Sequence, residues 1–478
     1  MIYKLVLLFF VLQSIAFPFD LKPPSEDNFY TLPEGYEDAK PGDILKFRRA
    51  PNKLANTFLP INVKNVWQLV VRSEDSFGNA TAFVTTIMEP YNANPTKVVS
   101  YQTFEDSANI NCSPSYGFQF GASVSTMATQ LDMSYMVVAL NNGYFVNSPD
   151  YEGFNSAFTV GRRSGQAVLD SVRAVLKSGS ITGIKGDAKV GLWGYSGGSL
   201  ATGWAAALQS TYAPELKRNL VGASLGGFVT NITAVAESVD GTLVAALTPL
   251  ALTGLANEYP AIRQILDENI AAKHAEKFKA AENLCLTPAL LNFVGSNILK
   301  GKDPMIPKGF SLLEDPTMKE IVDSNSIVNL NSTFVPEIPI FIYHGSLDKV
   351  VPIRDVKTTY NNWCKWGINS LELAEDIWNG HISEQVVGAP AGWTWLDKQF
   401  QESKPVTFWS WLSSVLQGKK HVTGCSRTPR LSNLLYPGIS RATRQYFEGI
   451  VDSITHAKLG PEANLLEKFN FLDLLLNY

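Results

Sequence analysis

The stretch at residues 188–201 constrains the fold of this chain more strongly than any other part of its 478 residues. An apolar run leads into Gly194-Tyr195-Ser196-Gly197-Gly198, and a segment rich in Ala, Gly and Leu continues to residue 208. This order predicts a buried strand, a tight turn and a helix, and glycine two residues to either side of the serine lets strand and helix pack closely. Such a turn is a nucleophile elbow, which lifts its serine above the carboxyl ends of a parallel sheet.

Ser196 is therefore the candidate nucleophile. The five-residue pattern is weak by itself in a chain with 35 glycines, but the apolar run before it and the helical run after it are the context that the motif requires. In that position a base can take the hydroxyl proton, and the amide of Gly197 can face a developing oxyanion.

The composition excludes several classes of protein. With 45% apolar and 18% charged residues, the chain can bury a large core, as one elaborated α/β domain or two smaller ones. The formal net charge of -4 and the lack of a Lys/Arg-rich cluster argue against nucleic-acid binding, and no phosphate loop of the Walker type occurs. We therefore expect no nucleic-acid partner, no metal and no cofactor.

The amino terminus has the pattern of a secretory signal peptide over residues 1–16. Lys4 precedes an apolar run at residues 5–12, and the small residues of Ser14-Ile15-Ala16 follow at the positions that a signal peptidase reads. A membrane anchor is the alternative, but the run is about half as long as a bilayer-spanning helix. No later window is long and apolar enough to span a bilayer, so we expect a soluble extracellular protein.

Because secreted proteins meet an oxidising environment, we expect the four cysteines to form two disulfides. None of them has the C-x-x-C spacing of metal ligands. Four cysteines allow three pairings, and the spacing leaves all three open. The cysteines are Cys112, Cys285, Cys364 and Cys425. Glycans are expected at some of the sequons, which begin at Asn79, Asn231 and Asn331, with a formal fourth at Asn111.

The first part of the chain predicts a mixed sheet. Residues 17–60 are rich in proline and charge and predict an extended arm over the surface. Residues 66–71 and 80–88 are apolar and β-branched and predict antiparallel leading strands. Residues 97–102 predict the next strand, which runs directly into a polar turn at 103–107.

Two apolar runs follow, at residues 133–140 and 143–149, and the second leads into a loop that should open at the carboxyl edge of the sheet. The apolar spacing in residues 166–177 predicts a helix, and glycines end it. Beyond the elbow, residues 220–228 predict a further buried strand whose glycines permit close packing.

Residues 230–326 change in character to helical segments punctuated by Gly and Pro, without strand signals. Some of these segments, such as residues 245–252, are apolar on more than one face, which indicates a buried helical cap. A more specific interpretation, which includes the first, is a lid whose apolar inner face lines a site for an acyl chain.

An activated serine needs a base, and the base needs a carboxylate that fixes its tautomer. On folds with this turn the chain order is serine, acid, histidine. His381 is the candidate base because it lies on a Gly-preceded loop after a predicted strand at 371–374. Asp348, on the turn after a predicted strand at 338–344, is the candidate acid, with Asp355 and Asp376 as alternatives. The histidines without this context are His274, His344, His421 and His456.

Several motifs together resemble the secreted fungal lipase family of the lipase A type, over about residues 30–415. These motifs are Gly194-Tyr195-Ser196-Gly197-Gly198, the Tyr343-His344-Gly345 turn that continues through Asp348 to Pro352, Ser100-Tyr101-Gln102, Cys112 to Gly117 and Ser148 to Gly153. The resemblance implies an α/β-hydrolase fold, with a mostly parallel central sheet, flanking helices and an inserted helical lid. It also implies hydrolysis of long-chain triacylglycerols and related esters.

The resemblance assigns further residues. It implies disulfides that pair Cys112 with Cys285 and Cys364 with Cys425. It also implies an oxyanion hole formed by the Gly197 amide and by an aspartate after the Ser-Tyr-Gln strand, which is Asp106 in this sequence. Because an aspartate donates a hydrogen bond only when it is protonated, the pKa of that carboxyl would have to be raised, and burial in an apolar site supplies this.

These predictions divide the chain into five parts. The parts are a signal peptide at 1–16, a first core part at 17–229, a lid insertion at 230–326, a second core part with acid and base at 327–430, and a flap and tail at 431–478. The chain departs from the family pattern in a longer polar segment between His381 and Cys425 and in its tail. Those departures leave open the role of the tail and the closing of the second disulfide.

We therefore expect a secreted, monomeric lipase that acts on lipid or ester substrates at an oil–water interface. A short-chain esterase or peptidase on the same fold is the alternative among enzymes. A catalytically silent hydrolase fold used for binding is the alternative among other classes, and it is weaker because such proteins usually lose a catalytic residue that this chain retains.

Overall fold

The computed structural model describes residues 21–56, 59–402 and 424–455. The predicted signal peptide, His421 and His456 lie outside these residues. No helix of the described residues is long and apolar enough to cross a membrane.

A ten-stranded mixed sheet forms the centre of the described structure, and a two-stranded hairpin lies beside it. The strands are β1 (Ile44–Arg49), β2 (Ala55–Asn56), β3 (Leu59–Pro60), β4 (Asn65–Glu74), β5 (Ala80–Glu89), β6 (Asn94–Gln102), β7 (Tyr144–Pro149), β8 (Lys189–Tyr195), β9 (Leu220–Gly226), β10 (Ile340–Gly345), β11 (Ser370–Asp376) and β12 (Gly424–Arg430). The order in the sheet is β1-β4-β5-β7-β6-β8-β9-β10-β11-β12, and β2 pairs only with β3.

The sheet changes from antiparallel to parallel along this order. β1, β4 and β5 are antiparallel, and β5 joins β7 antiparallel through pairs such as Ile87 with Asn147. From β7 onward every neighbouring pair is parallel. The predicted mostly parallel sheet with antiparallel leading strands is therefore confirmed.

Helices connect the parallel strands and cover both faces of the sheet. They are α1 (Pro114–Gly117), α2 (Met127–Asn141), α3 (Gly161–Lys177), α4 (Gly179–Thr182), α5 (Gly197–Tyr212), α6 (Ile232–Val239), α7 (Leu247–Glu258), α8 (Pro260–Asn269), α9 (Ala275–Lys279), α10 (Leu286–Phe293), α11 (Pro316–Ser324), α12 (Ile353–Lys365), α13 (His381–Glu402) and α14 (Arg441–Thr455). α6 to α11 belong to the segment 230–326, which contains short 3-10 turns and no strand among the described residues.

Side chains of β8 show how the core is built, because they alternate between the two faces of the sheet. Val190 and Leu192 enter a cluster shared with α3, α5 and the helical segment. Trp193 and Tyr195 enter a second cluster, shared with α2 and α13. With both faces covered, β8 is buried and free of charged residues from Val190 to Tyr195, as a central parallel strand should be.

Two local predictions were wrong, each because tertiary packing overrides a local pattern. Residues 44–49, predicted as part of an extended arm, form the edge strand β1. His381, predicted on a loop, is the first residue of α13. The apolar run 133–140, for which no secondary structure was predicted, belongs to α2, which is buried on several sides and so lacks helical amphipathicity. β12 has no counterpart among the predicted strands.

Two disulfides tie distant parts of the chain together. Cys112 pairs with Cys285, and Cys364 pairs with Cys425. The first joins the segment after β6 to the start of α10, and the second joins α12 to β12. The second disulfide, which the departures from the family pattern had left open, is therefore closed.

Parallel strands deliver their exit loops to one edge of the sheet. β6 is followed by the polar turn at 103–107, β8 by Ser196, and β10 and β11 by the segments that contain Asp348 and His381. The fold therefore gathers Asp106, Ser196, Asp348 and His381 at this edge, although they are far apart in the sequence.

Candidate active site

Ser196 occupies a strained turn between β8 and α5. Its φ of 51° and ψ of -124° are values that non-glycine residues rarely adopt, and its amide donates a hydrogen bond to the Gly226 carbonyl at 3.0 Å. A Cβ on Gly194 would lie 2.4 Å from the Gly198 carbonyl oxygen, and one on Gly198 would lie 1.9 Å from the Gln102 carbonyl oxygen. Gly194 is therefore required by the close approach of β8 and α5, and Gly198 by the close approach of α5 to the end of β6.

Three predicted residues form a continuous chain of hydrogen bonds. His381 Nε2 lies 2.9 Å from Ser196 Oγ, and His381 Nδ1 lies 2.7 Å from Asp348 Oδ2. His381 and Asp348 are buried, whereas the serine is half-buried. The serine hydroxyl can therefore give its proton to an imidazole whose other nitrogen is held by a carboxylate.

Asp348 is held as a charged acceptor. Its Oδ1 accepts hydrogen bonds from the amides of Val350 and Val351, at 2.9 and 2.7 Å. Burial opposes the charged form, but the charge and hydrogen bond of His381, together with His344 and the Val351 amide, outweigh burial and lower the pKa of the Asp348 carboxyl. The carboxylate is thus ionised where it can stabilise an imidazolium.

The alternative acids lie elsewhere. Asp376 accepts hydrogen bonds from the amides of Trp378 and Asn379 and so shapes the loop that leads to His381. Asp355 is inside α12, where it accepts from the Asn231 side chain. Neither carboxylate contacts the His381 ring in the described structure.

The predicted oxyanion residues meet beside the serine. A Cβ on Gly197 would lie 1.8 Å from Asp106 Oδ1, so the Asp106 carboxyl fills the space that a side chain at 197 would need. Asp106 has a positive φ of 48°, and its Oδ1 is buried without a hydrogen-bond partner among the described residues. The Gly197 amide is the first of α5 and has no acceptor within the helix.

The Asp106 carboxyl titrates far from its ordinary range. Burial raises its pKa from 3.8 to about 7, and the charge of His381 limits that rise. Below pH 7 the group is a neutral acid with a proton to donate. The direction of this shift is the one that an oxyanion donor at Asp106 needs.

Glu105 and Glu152 are functional candidates that the sequence analysis missed. Both are buried, and burial together with the neighbouring carboxyls raises their pKa values well above the ordinary range. They follow β6 and β7, which are adjacent parallel strands. Because exit loops of adjacent parallel strands meet at one edge, the strand assignment was the signal that could have brought them together.

Narrow apolar cavities adjoin Ser196. One, of about 50 Å³, is formed between the core and the helical segment and is lined by apolar residues that include Leu200, Val229, Ile232, Val235, Leu247 and Ala251. A second, of about 90 Å³, lies beside His381 and is lined by Val244, Leu247, Leu286 and Leu290. A larger cavity of about 820 Å³ includes Arg173 and Lys177 but none of the site residues. The helical segment therefore covers the serine with apolar side chains.

The three predicted glycosylation sites differ in their surroundings. Asn79 and Asn331 are exposed. The Asn231 side chain is half-buried, caps α6 by accepting from the Ala234 amide, and donates to Asp355. Glycosylation at these positions stays a prediction.

Known proteins are similar to this chain over most of its length. A family model described as "Secretory lipase" matches residues 118–407. Lipase 1 of Candida albicans (strain SC5314) is 55% identical over 456 residues, which is 95% of this chain and 94% of the relative. Lipase 2 of the same organism is 52% identical over 444 residues, covering 93% of this chain and 92% of the relative.

Solved structures are similar as well. Candida antarctica lipase A in its closed state has a TM-score of 0.76 and 26% sequence identity, over 91% of this chain and 96% of that one. LipA of Xanthomonas oryzae, a rice cell wall degrading esterase, has a TM-score of 0.60 and 16% identity, over 77% of this chain and 100% of that one. The second likeness concerns the fold alone.

Proposed function

The chain belongs to the secretory lipase family, as a secreted carboxylic-ester hydrolase with the α/β-hydrolase fold, and we propose that it is an extracellular lipase with Ser196 as nucleophile. Its substrates, in this proposal, are triacylglycerols and related long-chain esters. The observation that carries the proposal is the hydrogen-bonded series from Ser196 through His381 to Asp348.

The reaction proceeds in two halves. Ser196 Oγ attacks the ester carbonyl while its proton passes to His381 Nε2, and the carbonyl π electrons move onto oxygen. The intermediate collapses, the bond to the alcohol breaks, and the same proton goes to the leaving oxygen. Water then attacks the acyl-enzyme by the same route, which releases the fatty acid and restores the serine.

We assign stabilisation of the oxyanion to the Gly197 amide and to protonated Asp106. Donors fixed in advance at the place where negative charge develops lower the barrier without reorganising during the reaction. The contact between Asp106 Oδ1 and the position of a Gly197 Cβ supports this pairing. The pKa of about 7 leaves Asp106 protonated in acidic medium.

The segment 230–326 serves as the lid in this proposal. Its side chains, Leu247 among them, line the cavities at Ser196 and give the site an apolar wall suited to an acyl chain. That wall favours long-chain esters over the peptide substrates that a peptidase on the same fold would take. The small volumes of about 50 and 90 Å³ favour a lid that moves before a long chain enters.

The proposal is tested by hydrolysis of tributyrin, triolein and p-nitrophenyl esters of increasing chain length, with wild type and Ser196→Ala. We expect loss of all serine-dependent turnover in Ser196→Ala and a preference of the wild type for long chains. Ser324→Ala, at an exposed serine in α11, is the matched control and keeps full activity. Undiminished turnover by Ser196→Ala refutes the nucleophile, and preference for acetyl or peptide substrates refutes the lipase assignment.

A further inference from the structure

His344 is fully buried near the end of β10 and has no part in the mechanism described so far. β10 lies between β9 and β11, so this residue stands between the strand that precedes the helical lid and the strand that leads to His381. Its ring contacts the backbone of Phe228 on one side, and the backbone of Val351 and the Asp348 carboxylate on the other.

Hydrogen bonds determine the tautomer of His344. Its Nδ1 lies 3.0 Å from the backbone nitrogen of Phe228, which can only donate, so Nδ1 accepts and carries no proton. The proton is therefore on Nε2, which donates to the Val351 carbonyl at 3.0 Å and lies 3.4 Å from Asp348 Oδ2. Burial lowers the pKa of His344, against the opposing effect of Asp348, and so favours this neutral form.

The ring thus joins two segments that hold the reacting groups. Phe228 comes just after Gly226 and Gly227, and the Gly226 carbonyl accepts a hydrogen bond from the Ser196 amide at 3.0 Å. Val351 belongs to the turn whose amides bind Asp348. Nδ1 is therefore hydrogen-bonded to the segment behind Ser196, and Nε2 is hydrogen-bonded to the turn that holds Asp348.

We propose that His344 is a positioning residue for ester hydrolysis, which sets the Asp348 turn relative to the segment behind Ser196 and keeps its Nε2–H, which donates to the Val351 carbonyl, 3.4 Å from Asp348 Oδ2. The inference rests on the proposed roles of Ser196, Asp348 and His381. His344 itself takes no proton from substrate, because its Nδ1 is occupied by the Phe228 amide.

The charges around His344 predict the direction in which the pH profile of hydrolysis shifts when its Nε2 donor is removed. The groups that act on it are Asp348, His381 and Glu375, and the last is paired with Lys357 and Arg427. Without the Nε2 donor, more of the negative charge on Asp348 is left to stabilise protonated His381. The base then holds its proton to higher pH, and the acidic limb of the kcat/KM profile moves upward.

Two substitutions separate the two ends of the ring. In His344→Asn, the shorter amide can still accept from Phe228 but cannot reach Val351, so the donor toward Asp348 is lost. In His344→Gln, an amide donor lies near the former Nε2 position, but the acceptor for Phe228 is lost. Val356→Ala, which removes buried methyl groups from α12, is the control for lost stability alone.

The experiment measures kcat, KM, the pH profile and Tm for these variants beside Ser196→Ala. We expect His344→Asn to lose up to about 100-fold in kcat with little change in KM, because misplaced reacting groups slow the chemical step. Its acidic limb should move up by roughly 0.5 pH unit. His344→Gln should keep the wild-type limb with a smaller loss of kcat, and Val356→Ala should lower Tm without moving the limb.

The proposal is overturned if His344→Asn lowers Tm as Val356→Ala does but keeps the wild-type kcat and acidic limb. It is also overturned if His344→Gln loses as much kcat as His344→Asn and its acidic limb moves by as much. Should His344→Asn fail to fold, a wild-type kcat in His344→Gln overturns the bridging role. Turnover that survives in Ser196→Ala is a different result, since it refutes the proposed function itself.

Discussion

In the wild type we expect activity to decline as pH rises through neutrality, and Asp106→Asn should remove this decline. Burial raises the pKa of Asp106 from 3.8 to about 7, so the proposed oxyanion donor is present below pH 7 and lost above it. A carboxyl with this pKa is about 99% protonated at pH 5 and about 10% protonated at pH 8. An asparagine amide donates at every pH in this range.

The magnitude follows from these fractions. If turnover requires protonated Asp106, the ratio of wild-type kcat to Asp106→Asn kcat should fall about tenfold between pH 5 and pH 8. Protonation of the base at acidic pH slows both enzymes and therefore cancels in this ratio. Asp106→Ala, which has no donor, should lose on the order of 100- to 1,000-fold in kcat at pH 5.

The assay is initial-rate hydrolysis of a p-nitrophenyl ester between pH 4 and pH 9, read by a pH-independent product signal. Asp187→Asn, at an exposed acid at the opposite edge of the sheet, is the control for loss of one negative charge. A decline in Asp106→Asn equal to that of the wild type would refute the reasoning. So would wild-type kcat in Asp106→Ala at pH 5.

Stability gives an independent check on the same pKa. Folding raises the pKa of Asp106, so the folded state binds the proton more tightly and its stability falls as pH rises from about 4 to about 7. The shift corresponds to a cost on the order of 4 kcal/mol at neutral pH. Urea unfolding should therefore show that Asp106→Asn gains stability over the wild type at pH 8 and none at pH 4.

Two further predictions concern the lid. Leu247→Trp, at a residue that lines both cavities beside Ser196, should lower kcat/KM for long-chain esters more than for acetyl esters, and equal losses in a chain-length series would contradict the proposed acyl site. Removing the disulfide that tethers α10, as Cys112→Ser with Cys285→Ser, should destabilise the fold by about 5 kcal/mol and lower Tm, because it closes a loop across 173 residues. A calorimetric scan checks this, and an unchanged Tm would contradict it.

Local sequence determined the parts of this protein that depend on short-range sterics and periodicity. The elbow was predictable because glycines at 194 and 198 are required wherever a strand and a helix meet this closely around a serine. The helical segment at 230–326 was predictable because it lacks the alternation of strands. The chain order of serine, acid and histidine restricted the choice of acid and base to a few residues, among them Asp348 and His381.

Tertiary structure decided what depends on contacts between distant segments. The proximity of Asp348 to His381, rather than that of Asp376 or Asp355, follows from the register of β10 against β11 and from where each exit turn points. The tautomer of His344 depends on a backbone amide 116 residues away, and the raised pKa of Asp106 depends on burial from several elements. Periodicity carries no information about such pairs, because it reports only which face of its own element a side chain occupies.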